Sequence, residues 1–323
     1  MVESEVYRVG VDVGGTHLRV GVVAGRQVVW EHRFETRFAE RCRADAPEES
    51  LAHVLDVLGR AVIEALREYP GTAGVGLAVP GFLDPETGRL LSSPNIPGVR
   101  NADLTGPLAA FWGVPVVAEN DALAAAWGEW VVHPEAPASL VYLGLGTGVG
   151  GGLVLEGRPY RGVHGVAMEI GHLTVVAGGR ACGCGNRGCL ERYASATGVR
   201  LSYREATGRD LDARGVAERA RGGDPEARGA LDLAGAALGQ GLAHILKVID
   251  VSHVVVGGGL SASWDLIQPA FARRLEADLI PVLRGRVRVS PSVSGDQAGM
   301  VGAALLAVPP EAARGRTGSS GPG

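Results

Sequence analysis

The order of strands and helices at the start of the chain constrains the fold more than any other feature. Three apolar stretches are separated only by the turns Gly14-Gly15 and Gly25-Arg26, which predicts an antiparallel meander. Apolar residues then recur at helical spacing from Leu51 to Leu66, and buried strands follow at 74–79 and 114–118. This β-β-β-α-β-α-β plan is typical of a mixed sheet with helices packed on it. The three meander strands are predicted at residues 6–13, 18–24 and 27–34.

A second copy of the plan begins near Glu119. Its meander is predicted at 140–143, 152–156 and 173–176, and a helix over 230–249 leads into the strand 254–256. A last helix near 298–307 is expected to pack back on the first domain. We therefore predict three regions: an N-terminal α/β domain of residues 1–118 plus 297–309, a C-terminal α/β domain of residues 119–296 with a metal motif, and a disordered tail of residues 310–323.

Composition excludes several classes of protein. The 323 residues carry a net charge of −4, which argues against an electrostatic nucleic-acid binder. Lys247, the only lysine, lies between Leu246 and Val248, so the glycine-lysine pair of a Walker A loop is absent. Schiff-base chemistry and the ATP-binding lysine of protein kinases are disfavoured for the same reason.

Two observations bear on location. The first residues, MVESEVYRVGVDV, lack the basic region and long apolar core of a secretion signal. The uncharged stretch 136–155 imitates a membrane helix, but six glycines between Gly144 and Gly152 would destabilise a helix there by about 1 kcal/mol each. We expect a cytoplasmic protein that contacts no membrane.

Glycine clusters follow the predicted strands and suggest a nucleotide site. In the segment Asp12-Val13-Gly14-Gly15-Thr16, a tight turn brings backbone N–H groups and the Thr16 hydroxyl to a phosphate, while Asp12 holds a hydrated Mg²⁺. The alternative is an ordinary hairpin turn with a buried aspartate. Both interpretations suit these five residues equally well.

The second and third clusters lie in the C-terminal half. Gly146, Gly148 and Gly151 match the dinucleotide fingerprint, but a strand follows them and not the helix that binds pyrophosphate. A loop of this kind, with Thr147 as a further donor, still suits phosphates. After the strand 254–256, Gly257, Gly258 and Gly259 would let adenine lie against bare backbone.

The segment Glu119-Asn120-Asp121 precedes a strongly helical run. Either Asn120 or Asp121 suits the N-cap of that helix. The functional interpretation is that Asp121 is a general base presented at the end of a strand.

Three of the four cysteines lie within eight residues. Together with His172, the thiols of Cys182, Cys184 and Cys189 form a Cys₃His set suited to tetrahedral zinc. The alternatives are unliganded thiols and a core histidine. Cys42 lies in a charged segment and is not expected to take part.

These motifs together resemble the ROK family (repressors, open reading frames and kinases), and within it the bacterial glucokinases. The resemblance runs from about residue 6 to 307 and is most specific in Glu169-Ile170-Gly171-His172 and in CGCGNRGCLE, residues 182–191. It implies an α/β, actin-like ATPase fold of two ribonuclease-H-like domains with a cleft between them, closing on ATP and glucose. His17 departs from the pattern, because many members have lysine there, so the charge usually offered to the phosphates is missing or depends on pH.

The resemblance also implies roles for single residues. Asp121 would be the catalytic base, His172 would use one ring nitrogen for a structural zinc and the other for the sugar, and the three glycine clusters would hold ATP with Mg²⁺. A homodimer or homotetramer is usual for the family. The implied sugar-binding residues are Gly81, Asn95, Asn120, Asp121, Glu169, His172 and Glu191.

Other functions remain open at this point. A sugar-responsive DNA-binding repressor needs a helix-turn-helix ahead of the sugar domain, and only eleven residues precede Asp12. A catalytically inactive sugar-binding protein is disfavoured by Asp121 and the glycine clusters. Among kinases, N-acetylglucosamine, N-acetylmannosamine and fructose kinases are alternatives, and polyphosphate is an alternative to ATP as donor. The loop Ser93-Pro94-Asn95-Ile96-Pro97-Gly98 resembles that of glucokinases and favours glucose.

Overall fold

A computed structural model describes residues 6–44 and 46–308. By backbone contacts the chain divides into two compact units. The first contains the residues up to 139, residues 152–167 and the residues from 297 onward, and the second contains residues 140–151 and 168–296. The tail predicted at 310–323 lies outside the described residues.

The elements alternate as an α/β protein requires. The strands are β1 (Tyr7–Val13), β2 (His17–Ala24), β3 (Gln27–Glu35), β4 (Val75–Val79), β5 (Phe82–Leu83), β6 (Leu90–Ser92), β7 (Arg100–Ala102), β8 (Val116–Asn120), β9 (Leu140–Leu145), β10 (Val149–Leu155), β11 (Arg158–Pro159), β12 (His253–Gly257) and β13 (Arg288–Pro291). The helices are α1 (Phe38–Ala44), α2 (Pro47–Glu68), α3 (Thr105–Trp112), α4 (Asp121–Val132), α5 (Glu191–Ala194), α6 (Ala196–Thr207), α7 (Ala213–Arg221), α8 (Pro225–Ile249), α9 (Trp264–Asp278) and α10 (Ala298–Ala307).

The first unit is built on a mixed sheet with the strand order β3-β2-β1-β4-β8. β1, β2 and β3 form the antiparallel meander, with Asp12 opposite Arg19, while β4 and β8 run parallel to β1. All five residues of β4 are buried, as expected for a central parallel strand covered on both faces. A small antiparallel sheet with the order β5-β6-β7 accompanies it.

Helices cover the first sheet because their apolar residues recur every three or four positions. On α2, Val54, Leu58 and Val62 are fully buried in the same core as the sheet. Helix α10 packs so closely on β4 that a Cβ at Gly76 would overlap the carbonyl oxygen of Ala303. Only glycine permits this approach.

Helix α4 packs on α10, and this contact explains why the units differ from the predicted domains. A Cβ at Gly128 would lie 2.9 Å from both the Ala298 oxygen and the Gly302 Cα. Residues 119–139 therefore group with the first unit by contacts, whereas the sequence prediction assigned them, and residues 152–167, to the C-terminal domain.

The second sheet has the order β11-β10-β9-β12-β13. It repeats the order of the first sheet, because β9 stands where β1 does, with β12 parallel to it and β13 parallel to β12. The predicted third meander strand at Leu173–Val176 is wrong, since the two-residue β11 pairs with β10 instead. Residues 173–176 bond to the cysteine-rich loop, where Leu173 O accepts from Leu190 N at 2.8 Å. No described helix is both long and apolar enough to cross a membrane.

Candidate active site

The end of β8 and the start of α4 position the acidic segment 119–121. Asn120 is the N-cap of α4, because its Oδ1 accepts hydrogen bonds from the N–H groups of Ala122 at 3.0 Å and Leu123 at 3.1 Å. Asp121 is therefore the first helical residue and not the cap. Its Oδ1 accepts from Ala122 N at 2.8 Å.

Asp121 is a weaker acid than an ordinary aspartate. Burial raises the pKa of its carboxyl, and the hydrogen bond from Ala122 N only partly opposes this. A carboxylate with a raised pKa takes up a proton more readily. This direction is compatible with the role of general base that the sequence analysis predicts for Asp121.

Asn120 also forms a hydrogen bond with another predicted sugar-binding residue, Gly81. Its Nδ2 donates to the carbonyl oxygen of Gly81 at 3.1 Å. Gly81 has φ +137°, and a Cβ there would lie 2.9 Å from the Ser93 Cα, so the position requires glycine. The chain thus brings Gly81 and Asn120 together beside the loop that carries Asn95.

The loop 93–98 owes its shape to Ser93. The Ser93 hydroxyl accepts hydrogen bonds from the N–H groups of Asn95 at 3.3 Å and Ile96 at 3.2 Å. Ile96 is fully buried in the first core and anchors the loop. The two prolines at 94 and 97 limit the backbone further.

Glu119 and Arg161 form an ion pair that the sequence analysis missed. Glu119 is 4% exposed, its Oε2 accepts from Arg161 Nε at 2.6 Å, and its Oε1 accepts from Asn120 N at 2.9 Å. Burial raises the pKa of Glu119, and the charge of Arg161 opposes that rise. The pair supports the backbone directly before Asp121. No sequence signal pointed to Arg161, because the partners are 42 residues apart.

The turn with Gly14, Gly15 and Thr16 joins β1 to β2 and is a hairpin turn with additional supports. Thr16 O accepts from Thr36 N at 2.9 Å, and Gly15 O accepts from Ala39 N at 3.0 Å. A Cβ at Gly15 would lie 3.3 Å from the Asn95 oxygen. The turn therefore packs against the loop 93–98.

Two residues with ionisable side chains, His17 and Asp12, lie beside this turn. Thr16 Oγ1 lies 3.0 Å from His17 Nδ1, and His17 stands opposite Glu35 in the β2–β3 register. Asp12 lies on β1, with its carboxylate near Gly299, the second residue of α10. The side chains of Thr16 and Asp12 are thus at the same end of the β1–β2 hairpin.

Residues 146–148 of the second glycine cluster form a loop between β9 and β10, and Gly151 lies within β10, so a strand and not a helix follows the loop, as expected. Gly146 O accepts from Ala196 N at 2.9 Å, and Thr147 O accepts from the Thr197 hydroxyl at 2.8 Å. Both bonds use carbonyl oxygens as acceptors. Neither bond uses the N–H group of Thr147 or Gly148. These supports hold Gly146, Thr147 and Gly148 against the start of α6.

The third cluster has a packing role in two of its members. A Cβ at Gly257 would lie 2.9 Å from the Tyr142 ring, and one at Gly258, which has φ +83°, would lie 2.7 Å from Leu145 N. At Gly259 a Cβ would meet nothing within 4 Å. Of the three, Gly259 has the open surface that a flat ligand requires.

The four predicted metal ligands lie together in the second unit. One ligand atom from each of His172, Cys182, Cys184 and Cys189 lies within 4.8 Å of the others. The Cys184 and Cys189 sulfurs are 3.7 Å apart, and the Cys182 sulfur is 3.7 Å from His172 Nδ1. Tetrahedral zinc, with Zn–S bonds of about 2.3 Å, separates its ligand sulfurs by about 3.8 Å. The spacing therefore fits the metal.

Thiolate sulfur and imidazole nitrogen are donor atoms that Zn²⁺ takes in proteins, so the donor set also fits the metal. Burial raises the pKa of the Cys182 thiol to about 12. A divalent cation reverses such a shift, because it stabilises the thiolate form. Cys42, by contrast, is buried in the core of the first unit.

Two of the predicted sugar-binding residues, Glu169 and Glu191, lie beside this cluster, and a third, His172, belongs to it. His172 Nε2 lies 3.7 Å from Glu169 Oε2, and His172 Nδ1 lies 3.9 Å from Glu191 Oε1. Glu191 Oε1 is also 3.0 Å from the Cys182 sulfur. The second unit thus groups one imidazole and two carboxylates, which suits a ligand with many hydroxyls.

The comparison with known proteins decides the family. The sequence profile of the ROK family matches residues 8–309. The chain belongs to the ROK family. An N-acetyl-D-glucosamine kinase of Shigella flexneri serotype 5b is 33% identical over 312 residues, covering 92% of this chain and 98% of the relative.

Two solved ROK structures are similar over almost the whole chain. A ROK hexokinase from Thermus thermophilus is 35% identical with a TM-score of 0.77, covering 93% of this chain and 97% of that one. A ROK family glucokinase from Streptomyces griseus, solved with glucose and AMPPNP, is 31% identical with a TM-score of 0.79, covering 93% and 98%. The family and the α/β, actin-like ATPase fold expected from the sequence are confirmed. The chain groups with the sugar kinases of the ROK family.

Proposed function

We propose that this ROK protein is an ATP-dependent glucokinase that phosphorylates the 6-hydroxyl of glucose. The observation that carries the proposal is the carboxylate of Asp121, which has a raised pKa and is not the helix cap. The 31% identity to a glucokinase solved with glucose and AMPPNP supports the substrate pair.

In the proposed reaction Asp121 is the general base. The 6-oxygen of glucose attacks the γ-phosphorus of ATP in line, the bond from that phosphorus to the bridging oxygen of ADP breaks, and the hydroxyl proton passes to the Asp121 carboxylate. The products are glucose 6-phosphate and ADP.

Sugar recognition is assigned to two groups of residues. In the first unit the proposed contacts are Gly81, Asn95 and Asn120, with Asp121. In the second unit they are Glu169, His172 and Glu191. Because Nδ1 of His172 faces Cys182, we assign Nδ1 to the metal and Nε2–H to a sugar oxygen. Carboxylates accept hydrogen bonds from sugar hydroxyls, and amides both accept from and donate to them, whereas apolar walls do neither.

Two metals fit the chain. We assign a structural Zn²⁺ to His172, Cys182, Cys184 and Cys189, whose spacing suits it. Asp12 is assigned to the hydrated Mg²⁺ of MgATP, which neutralises phosphate charge when bound. For the phosphates and adenine of ATP we assign Gly14, Gly15 and Thr16, then Gly146, Thr147 and Gly148, then Gly257, Gly258 and Gly259.

Because ATP is the donor, we place the reaction in the cytoplasm. We also expect a homodimer or homotetramer.

N-acetylglucosamine is the second candidate acceptor. Relatives named N-acetyl-D-glucosamine kinase are 33–34% identical over 92% of the chain, which is as close as the glucokinase and hexokinase structures. The two sugars differ at carbon 2, where the acetamido group is larger than a hydroxyl. The proposed contacts therefore suit either sugar unless space at carbon 2 is restricted.

A coupled assay of ADP release tests the proposal. The panel contains glucose, fructose, mannose, N-acetylglucosamine and N-acetylmannosamine, each with ATP and with polyphosphate. We expect the highest kcat/KM for glucose with ATP, since this ratio measures specificity. A higher kcat/KM for an N-acetylhexosamine would replace glucokinase by the second candidate. No phosphorylation of any sugar would contradict the kinase assignment itself.

A further inference from the structure

Gly148 of the second glycine cluster faces Glu191 and not open space. A Cβ at Gly148 would lie 2.9 Å from Glu191 Oε2, and no other atom outside its immediate neighbours comes within 4 Å. At Gly146, two residues earlier in the same loop, a Cβ would meet nothing within 4 Å. The two glycines therefore have different surroundings.

The backbone conformation does not explain the glycine at position 148. Its φ is not positive, so a residue with a side chain is compatible with the backbone there. The loop is also supported by bonds that any residue makes, such as Gly148 O accepting from Gly146 N at 3.0 Å. What a side chain at 148 would change is the room available to the Glu191 carboxylate.

The Glu191 carboxylate is held from two sides. Its Oε2 lies against Gly148, and its Oε1 lies 3.0 Å from the Cys182 sulfur. The side chain keeps 24% of its surface exposed. The carboxylate is thus restricted in position but still accessible to a ligand.

Strand β10, which begins directly after Gly148, supports the other segment proposed to bind the sugar, the segment that carries Glu169. A Cβ at Gly151 would lie 2.5 Å from the Met168 oxygen, directly before Glu169. Met168 has φ +65°, an unfavourable conformation for a residue with a side chain. Residues 148–151 therefore form a surface against which the segments of Glu169 and Glu191 pack.

We infer that Gly148 is a positioning residue for sugar binding, because its missing side chain lets the Glu191 carboxylate stand against the loop. This inference rests on the proposed role of Glu191 as a sugar contact. It assigns Gly148 a function toward the hexose in addition to the nucleotide role expected from the sequence. The consequence is that a side chain at 148 affects hexose binding through Glu191.

The substitution Gly148→Ala tests the inference without disturbing the backbone. The atom it meets is the far end of a flexible side chain, so the carboxylate moves while the fold persists. Displacing one charged hydrogen-bond acceptor from the sugar raises the hexose KM by about tenfold or more. Because Gly148 is also assigned to ATP, the ATP KM is measured beside the hexose KM, and we expect the increase in the hexose KM to be the larger of the two. Zinc content is measured in each variant, because Glu191 neighbours Cys182.

Two comparisons show that the effect passes through Glu191. Gly146→Ala, in the same loop, leaves the hexose KM within about twofold of the wild type, whatever its effect on ATP. In the Glu191→Gln background, Gly148→Ala is expected to add much less than tenfold to the hexose KM, because residues that act as a unit are not additive. If Gly148→Ala alone fails to fold, the double variant Gly148→Ala/Glu191→Ala removes the overlap and recovers the melting temperature.

The results separate the inference from the proposed function. If Glu191→Gln raises the hexose KM but Gly148→Ala does not, the inference is overturned and the sugar contact stands. If Glu191→Gln leaves the hexose KM unchanged, the sugar role of Glu191 and the inference both fail. Equal increases of the ATP and hexose KM in Gly148→Ala, full additivity in the double variant, or no recovery of melting temperature also overturn the inference.

Discussion

The side chain of Asn120, and not that of Asp121, caps helix α4. Asn120 Oδ1 accepts from the N–H groups of Ala122 and Leu123, while Asp121 occupies the first helical position with a raised pKa. Either residue suits a cap by its chemistry. The structure assigns the cap to Asn120, and we propose that Asp121 is the base. Substitution of Asn120 should therefore lower stability, whereas substitution of Asp121 should lower turnover.

The variant Asp121→Asn is expected to lose turnover and keep its fold. Removing the base lowers kcat by about 10²–10⁴-fold. The melting temperature stays the same or rises, because a carboxylate whose burial raises its pKa destabilises the fold when ionised. Steady-state kinetics and thermal unfolding measure both effects. The matched variant Asn120→Ala loses the cap and about 1 kcal/mol of stability. Near-wild-type turnover in Asp121→Asn would show that Asp121 is not the base.

The pH dependence of the enzyme should report the ionisation of Asp121. Only the ionised carboxylate accepts a proton, so kcat/KM falls as the pH drops through its raised pKa, above the usual aspartate range. Stability runs the other way: the native state binds the extra proton, so wild-type stability falls as pH rises through the same window. Urea unfolding of wild type and Asp121→Asn between pH 4 and 7 isolates this slope, because the raised pKa of Glu119 contributes equally to both. A larger slope in the variant would contradict the assignment.

Loss of one metal ligand should impair hexose binding more than ATP binding. In Cys184→Ser we expect zinc affinity to fall at least as far as the roughly 10–100-fold seen when an outer-shell partner is lost. The hexose KM then rises, because His172 belongs to the cluster and Glu191 lies beside it. Metal analysis and kinetics of each sugar measure the two effects. Cys42→Ala, in the other unit, is expected to keep one zinc per chain. A Cys184→Ser protein with full zinc and an unchanged hexose KM would be inconsistent with the ligand set.

Removing Arg161 should destabilise the fold through Glu119. Glu119 is 4% exposed, and Arg161→Gln takes away the charge that opposes its burial. We expect a loss of about 1–3 kcal/mol at pH 7, below the value for a fully buried pair because Arg161 is 44% exposed. The loss shrinks at lower pH, where Glu119 is protonated. Arg214→Gln, whose pair with Glu218 is exposed, is expected to change stability by less than about 0.5 kcal/mol. Equal losses in the two variants would contradict the burial argument.

Much of this protein was determined by the sequence alone. The meander β1–β3, helix α2 and strands β4, β8 and β12 follow from apolar periodicity, which depends on a few consecutive residues. The sequence predicted that His172 and the three cysteines form one cluster, and they do lie together, because they fall within eighteen residues and one loop brings them together. The family followed from motifs that are equally local.

Only the tertiary structure decided the contacts between distant segments. The pairing of Glu119 with Arg161 spans 42 residues, and Gly148 meets Glu191 across a comparable distance in the chain. The third strand of the second meander was predicted at 173–176, but β11 takes that place, because the partners of residues 173–176 come from the cysteine-rich loop. Such contacts depend on how whole sheets and helices pack, and packing selects between options that are equal in local energy, such as Asn120 or Asp121 as the cap.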